Sequence, residues 1–152
     1  MDLLDLYDDT GLCDLGSDID TEAAERAWLE DYKQLSYSFP YHVTGSTVIV
    51  GSGKDYDVVI LDDGGRGLQM QLALLGYQRC CDAQYIGDFT ALRKGDVNAI
   101  VVTSEDVYKS WEFATLVCSG IGSLPNFGSI LAEKAIRCYV FGWLRELYRS
   151  HG

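Results

Sequence analysis

The sequence is poor in histidine and proline, has no CxxC pair and has no long apolar run. With only two histidines, a His-rich metal site is excluded, and a Ser/His/Asp triad would depend on His42 alone. Five cysteines without CxxC spacing indicate reduced thiols that mostly fill the core. No apolar stretch approaches the roughly 20 residues that span a bilayer, so we expect no membrane partner.

Positive charge is also scarce, but only in the first half. Residues 1–78 hold 15 Asp and Glu against 4 Lys and Arg, whereas residues 79–152 hold 8 of each kind. An acidic surface repels the phosphate backbone, so we do not expect direct nucleic-acid binding through this half. The N-terminus, MDLLDLYDD, carries acids where a secretory signal carries basic residues, and we therefore expect a cytoplasmic protein.

The length of 152 residues suits one folded domain. We expect it over residues 20–152, after an acidic and mobile lead-in over residues 1–19 that lacks a sustained period. Alternating helical and strand patterns predict an α+β fold with a small mixed or antiparallel sheet flanked by helices.

Local signals place the elements of that fold. They predict a helix from Asp20 or Thr21 to Gln34, a strand ending near Gly45 or Val50, a strand over Tyr56–Leu61, and a short helix ending at Gly76. A hairpin should follow, with its turn at residues 93–95 and its second strand reaching Val102. Two helices complete the prediction, one from Thr103 to Ser119 and one from Phe127 to Tyr148, with SGIGSLPN as a loop between them. The last helix is expected to pack under the sheet.

The stretch VTGSTVIVGSGKDYDVVILDD combines glycines, a lysine and two aspartates. It has two possible interpretations, a phosphate-binding loop and a pair of metal-binding carboxylates. A phosphate-binding P-loop needs a glycine, four residues, Gly-Lys and then Ser or Thr. Gly53 and Lys54 match, but Val48 stands at the first glycine and Asp55 at the hydroxyl position. The pattern therefore disfavours a P-loop.

A pair of metal-binding carboxylates fits the same stretch better. In a strand, residues two apart point to the same side, so Asp55 and Asp57 project together. Oxygen ligands of this kind suit Mg²⁺, which retains waters and substrate phosphates. Upstream, Gly45 and Ser46 offer backbone and hydroxyl donors to a triphosphate, and Lys54 is a further candidate for a phosphate contact.

The segment TGSTVIVGSGKDYDVVI resembles the signature of the DNA polymerase beta-like nucleotidyltransferase superfamily. The match is closest to small phage-encoded proteins that combine a TGS strand, an Asp-aromatic-Asp strand and an LRKG hairpin followed by Asn. The resemblance implies a nucleotidyltransferase-like fold, Asp55 and Asp57 as Mg²⁺ ligands, and Gly45 and Ser46 as NTP contacts. The spacer between Ser46 and Asp55 is eight residues, slightly shorter than the family pattern.

The family pattern also carries a third carboxylate on a later strand. The matching position in DVNAIVV is Asn98, whose amide oxygen can ligate weakly but cannot serve as an anionic ligand or a base. Asp96 lies two residues earlier, on the same strand face, and is the alternative residue to complete the site.

Two functions from different classes follow. The first is a Mg²⁺-dependent nucleotidyltransferase that moves a nucleoside monophosphate from an NTP to a hydroxyl acceptor. The second is a catalytically impaired viral protein of the same fold that binds and inhibits a host protein in the host-cell cytoplasm. Asn98 and the acidic first half motivate the second hypothesis, because an acidic surface can imitate the charge of DNA.

Overall fold

The structure, a computed structural model, describes residues 18–80 and 88–151. The predicted lead-in lies almost wholly outside these residues. The helices and strands follow in the order α1 (Thr21–Tyr32), β1 (Tyr41–Thr44), α2 (Ser46–Ile49), β2 (Tyr56–Leu61), α3 (Leu68–Leu74), β3 (Gln78–Arg79), β4 (Thr90–Lys94), β5 (Val97–Val102), α4 (Glu105–Gly122), α5 (Gly128–Leu131) and α6 (Lys134–His151).

The strands form one five-stranded sheet in the order β1-β2-β5-β4-β3. The two central strands, β2 and β5, pair in parallel, and the other neighbours are antiparallel. Both central strands are rich in Val and Ile and are buried along most of their length, as expected for strands covered on both faces. The predicted mixed sheet is therefore confirmed.

Helices cover both faces of the sheet. On one face α1 and α3 bury Trp28 and Leu72 against alternate residues of β2, including Val58. On the other face α4 and α6 bury Trp111 and Phe141 against the intervening β2 and β5 residues. This layering is the predicted α+β fold, and it assigns each residue of the central strands to one of two cores.

The structure decides two local predictions near the candidate site. Of the two ends predicted for the first strand, the one near Gly45 is confirmed, because β1 ends at Thr44 and residues 46–49 form the single helical turn α2. The hairpin turn does not begin at Arg93, since Arg93 and Lys94 still pair with Asn98 and Val97 in the antiparallel ladder. Gly95, with a φ of 58°, takes the left-handed conformation that the tight turn requires.

The C-terminal helices also differ from their prediction. Ser104, rather than Thr103, caps α4, which continues to Gly122 and so absorbs part of the expected loop. The final helical region is divided into α5 and α6. Helix α6 packs chiefly on α4, and its Phe141 and Leu144 join the core on that face of the sheet. Its outer side exposes Trp143 and Tyr139. Across residues 18–80 and 88–151, no helix is both long and apolar enough to cross a bilayer.

Helix α4 fixes the position of β1 and α2. The buried hydroxyls of Thr44 and Thr115 lie 2.7 Å apart, and Thr115 also donates to the Trp111 carbonyl. At the end of α4, a Cβ on Gly122 would lie 2.7 Å from the Ile49 carbonyl oxygen. The close approach of α4 to α2 therefore requires glycine at position 122.

Replacing Gly122 with alanine should lower the free energy of unfolding by about 1–3 kcal/mol, because the new methyl group meets rigid backbone. Urea unfolding followed by circular dichroism measures the change. Gly120→Ala is the matched control in the same helix, since beyond the helix's own neighbouring backbone no described atom lies within 4 Å of a Cβ there. That variant should be neutral or slightly stabilised through helix propensity. Equal effects at the two positions would contradict the α4–α2 contact.

Candidate functional site

A row of polar residues crosses the sheet near one end of its central strands. Asp57 of β2 pairs with Thr44 on one side and with Asn98 of β5 on the other. Asn98 in turn pairs with Arg93 of β4. Strand alternation directs Asp57 and Asn98 to the face covered by α4 and α6, because Val59 lies in that core. The row therefore brings together residues from four strands.

Asp57 is held by contacts on both carboxylate oxygens. The Asn98 side-chain amide donates to Asp57 Oδ1 over 3.0 Å. The other oxygen, Oδ2, lies so close to Gly45 that a Cβ on that residue would overlap it. Gly45 also has a φ of 81°, a conformation that glycine adopts readily. Gly45 therefore lies directly beside Asp57, and glycine is required there.

The loop over residues 51–54 folds back over α2. A Cβ on Gly53 would overlap Ser46 Oγ, so the hydroxyl of Ser46 lies directly against this loop. Lys54, at the end of the loop, forms an ion pair with Asp18 over 3.1 Å. Next to this ion pair, the Ile19 amide donates to the Gly53 carbonyl over 3.0 Å. Ser46 and Lys54 therefore flank the loop that leads into the two aspartates.

Asp55 immediately precedes β2 and is ion-paired with Arg93. Arg93 pairs with Asn98 in the β4–β5 ladder, and this strand position directs it toward the candidate site. Its neighbour Lys94 instead pairs with the buried Asp31 over 3.1 Å, on the α1 side of the sheet. The alternation of strand residues explains why adjacent cations serve different partners.

Asp96 and Asn98 occupy different environments. Asn98 contacts Asp57 directly, whereas Asp96 is exposed in the turn between β4 and β5, where its carbonyl accepts the Tyr56 amide over 2.8 Å. Asp96 also borders a groove of about 220 Å³ between this turn and α1. The groove does not include either member of the Asp55–Asp57 pair.

The electrostatics of the site centre on Asp57. Burial, and then the negative charge of Asp55, raise the pKa of the Asp57 carboxyl to about 7. The hydrogen bond from Asn98 and the positive charges of Arg93 and Arg137 act in the opposite direction. The two carboxylates are thus close enough to repel each other. A bound cation would offset that repulsion.

Arg137 is a site residue that the sequence patterns did not indicate. It lies in the first turn of α6, where its guanidinium donates to the carbonyls of Leu131 and Ala132 over 2.9 and 3.2 Å. From there its charge favours the ionised form of Asp57. No local motif connects α6 with β2, so only the packing of the helices reveals this arginine.

The site contains oxygen atoms that could hold a Mg²⁺ ion. Within the described ranges, no group of three or more His, Cys, Asp or Glu side chains is arranged to hold a metal. Two carboxylates are present, and the buried Oδ1 of Asn98 has no hydrogen-bond partner among the described residues. Carboxylate and amide oxygens suit Mg²⁺, which completes its shell with water and substrate phosphates.

The raised pKa of Asp57 predicts a pH-dependent stability in the absence of divalent metal. Ionisation of Asp57 is harder in the folded state than at the ordinary value of 3.8, so its ionisation destabilises the fold as pH rises through about 7. The free energy of unfolding of Asp57→Asn minus that of wild type should therefore increase by on the order of 2 kcal/mol from pH 4 to pH 8. Urea titrations in EDTA measure this difference.

Asp63→Asn is the control for that prediction, because it removes the same charge from an exposed loop residue. Its difference from wild type should stay nearly constant over the same pH range. A constant difference for Asp57→Asn as well would mean that the Asp57 carboxyl is not desolvated.

No protein-family model matches the chain, and no curated protein matches it. Among solved structures, the chain is similar to the conserved protein GrpB from Enterococcus faecalis, with a TM-score of 0.51 and 12% sequence identity. The alignment covers 89% of this chain and 97% of GrpB. At this identity the likeness concerns the fold alone, and it extends over nearly the whole of both chains.

Proposed function

We propose that the protein binds the Mg²⁺ complex of an NTP and transfers its nucleoside monophosphate to a hydroxyl acceptor. The hydroxyl oxygen bonds to the α-phosphorus, the bond between the α- and β-phosphates breaks, pyrophosphate leaves, and the hydroxyl proton passes to water. The observation that carries the proposal is the close approach of Gly45 to Asp57 at one end of the central strands, with the charge of Asp55 near enough to raise the pKa of Asp57. The resemblance of this segment to the DNA polymerase beta-like nucleotidyltransferases supports the same function.

Each residue of the site has a defined part in this proposal. Asp55 and Asp57 would hold the metal, which when bound would supply positive charge that stabilises the phosphates during transfer. Gly45 keeps the space beside Asp57 Oδ2 free of a side chain. Ser46 donates its hydroxyl to a phosphate oxygen, and Lys54 supplies a positive charge when it exchanges Asp18 for the triphosphate.

Arg137 extends the set beyond the sequence motif. Its guanidinium donates to the carbonyls of Leu131, at the end of α5, and Ala132, so its charge is held where it favours the ionised form of Asp57. A fixed positive charge stabilises the negative charge that develops on a transferring phosphoryl group. Arg137 is therefore part of the proposed site.

Isothermal titration with each of the four NTPs, with and without Mg²⁺, tests this function. Binding should require Mg²⁺ and should weaken by at least about tenfold in the Asp55→Asn/Asp57→Asn variant, because both anionic metal ligands are lost. Asp63→Asn should bind as wild type does, and circular dichroism should show that all variants are folded. Binding that is absent from the wild type, or unchanged in the double variant, would refute the proposal.

A second function is favoured by the environment of Asn98. This neutral amide takes the position of the third carboxylate and donates to Asp57, so the site is less anionic than the family pattern implies. The protein would then be a catalytically impaired viral protein that inhibits a host protein in the host-cell cytoplasm, and its acidic first half would contact a basic surface.

The second function predicts a host-protein complex that does not depend on the carboxylate pair. Affinity capture from host extract should recover the same partner with wild type and with Asp55→Asn/Asp57→Asn, and added salt should release it because the contact is between charged surfaces. Loss of the complex in the double variant would instead assign the interaction to the nucleotide site.

A further inference from the structure

Both candidate metal ligands are already engaged by side chains of the β4–β5 hairpin. Arg93 is ion-paired with Asp55, and Asn98 donates to Asp57 over 3.0 Å. The two side chains of the ion pair are 31% and 26% exposed, so solvent screens their attraction only in part. A cation approaching Asp55 must therefore compete with a positive charge that the protein itself provides.

The position of Arg93 is set by its strand and by a second hydrogen bond. Arg93 lies on β4, directly opposite Asn98 of β5, and Asn98 is the residue that donates to Asp57. The Nε of Arg93 also donates to the Gly95 carbonyl over 3.3 Å, which orients the guanidinium. Lys94 cannot replace it, because that ammonium group pairs with Asp31 on the other side of the sheet.

We propose that Arg93 is a positioning residue. It is ion-paired with Asp55 in the free protein, and when nucleotide binds it releases Asp55 to bind the metal. This inference rests on the proposed nucleotide site. The guanidinium presents two parallel N–H groups, a geometry that suits phosphate oxygens as well as a carboxylate. The triphosphate offers Arg93 a second anion, so the metal gains access to Asp55.

The charges of the site make the binding of metal and nucleotide cooperative. When both aspartates are ionised, Asp55 and Asp57 carry two negative charges and Arg93 carries one positive charge, so these three side chains leave a net charge of minus one for a free divalent cation. Coulomb repulsion from Arg93 weakens metal binding in the absence of nucleotide. When a triphosphate pairs with Arg93, that repulsion is offset, and each ligand strengthens the binding of the other.

Titration of the full chain with Mn²⁺ alone, followed by the electron paramagnetic resonance signal of the free ion, tests this inference. Arg93→Gln should bind Mn²⁺ about tenfold more tightly than wild type, because a competing charge has been removed from Asp55. Arg26→Gln loses the same charge from an exposed position on α1 and should change the affinity by less than about twofold. Arg93→Met is a second neutral variant with the same expected gain.

The same titration with a non-hydrolysable NTP measures the coupling. Nucleotide should raise the Mn²⁺ affinity of wild type by a larger factor than that of Arg93→Gln, because only wild type has the Arg93–Asp55 ion pair to exchange. Adding Asp55→Asn to Arg93→Gln should abolish the gain in the affinity for Mn²⁺ alone. A merely structural Arg93 would alter stability without changing these affinities.

Equal Mn²⁺ affinities for wild type and both neutral variants, or Mn²⁺ binding by none of them, would overturn the inference. The proposed function is judged separately by Mg²⁺-dependent NTP binding in wild type. A Mn²⁺ gain in Arg93→Gln without any NTP binding would uphold the competition at Asp55 and reject the nucleotide site. NTP binding by wild type with no gain in Mn²⁺ affinity in Arg93→Gln would uphold the nucleotide site and reject the competition at Asp55.

Discussion

The parallel pairing of β2 with β5 is the interaction on which the rest of the structure depends. The two strands are separated in the chain by α3, β3 and β4, and their register places Asp57 directly beside Asn98. Alternate residues of both strands fill two cores, one on each face. A shift of one residue would exchange these faces and bury the polar row in place of Val and Ile. Burial of the central strands therefore determines where the carboxylates lie.

The helices on the α4 side of the sheet position the other residues of the candidate site around Asp57. Helix α4 holds the end of β1 through Thr115 and approaches α2 closely at Gly122, so the Gly45–Ser46 segment is supported from behind. Helix α6 then contributes the charge of Arg137 near Asp57. The glycines at 45 and 53 allow backbone to lie against a carboxylate and a hydroxyl where any side chain would overlap them.

The balance of charge in this site distinguishes the two proposed functions. Two carboxylates partly withdrawn from water repel each other, and a metal ion is a natural way to relieve that repulsion. Yet Arg93 and Asn98 already engage one carboxylate each. If nucleotide displaces Arg93, the site is a regulated metal site. If it does not, the same two side chains maintain the fold of the site without its chemistry.

The sequence by itself determined the elements whose signals are local. The β2 boundaries, the Asp20 N-cap of α1 and the short α3 follow from periodicity and capping, and strand alternation placed Asp55 and Asp57 on one side. Only the tertiary structure decided that Arg93 faces Asp55 while Lys94 faces Asp31, that Asn98 rather than Asp96 contacts Asp57, and that Arg137 lies near the pair. These relations depend on strand register and helix packing between distant segments, and no local pattern of residue types encodes them.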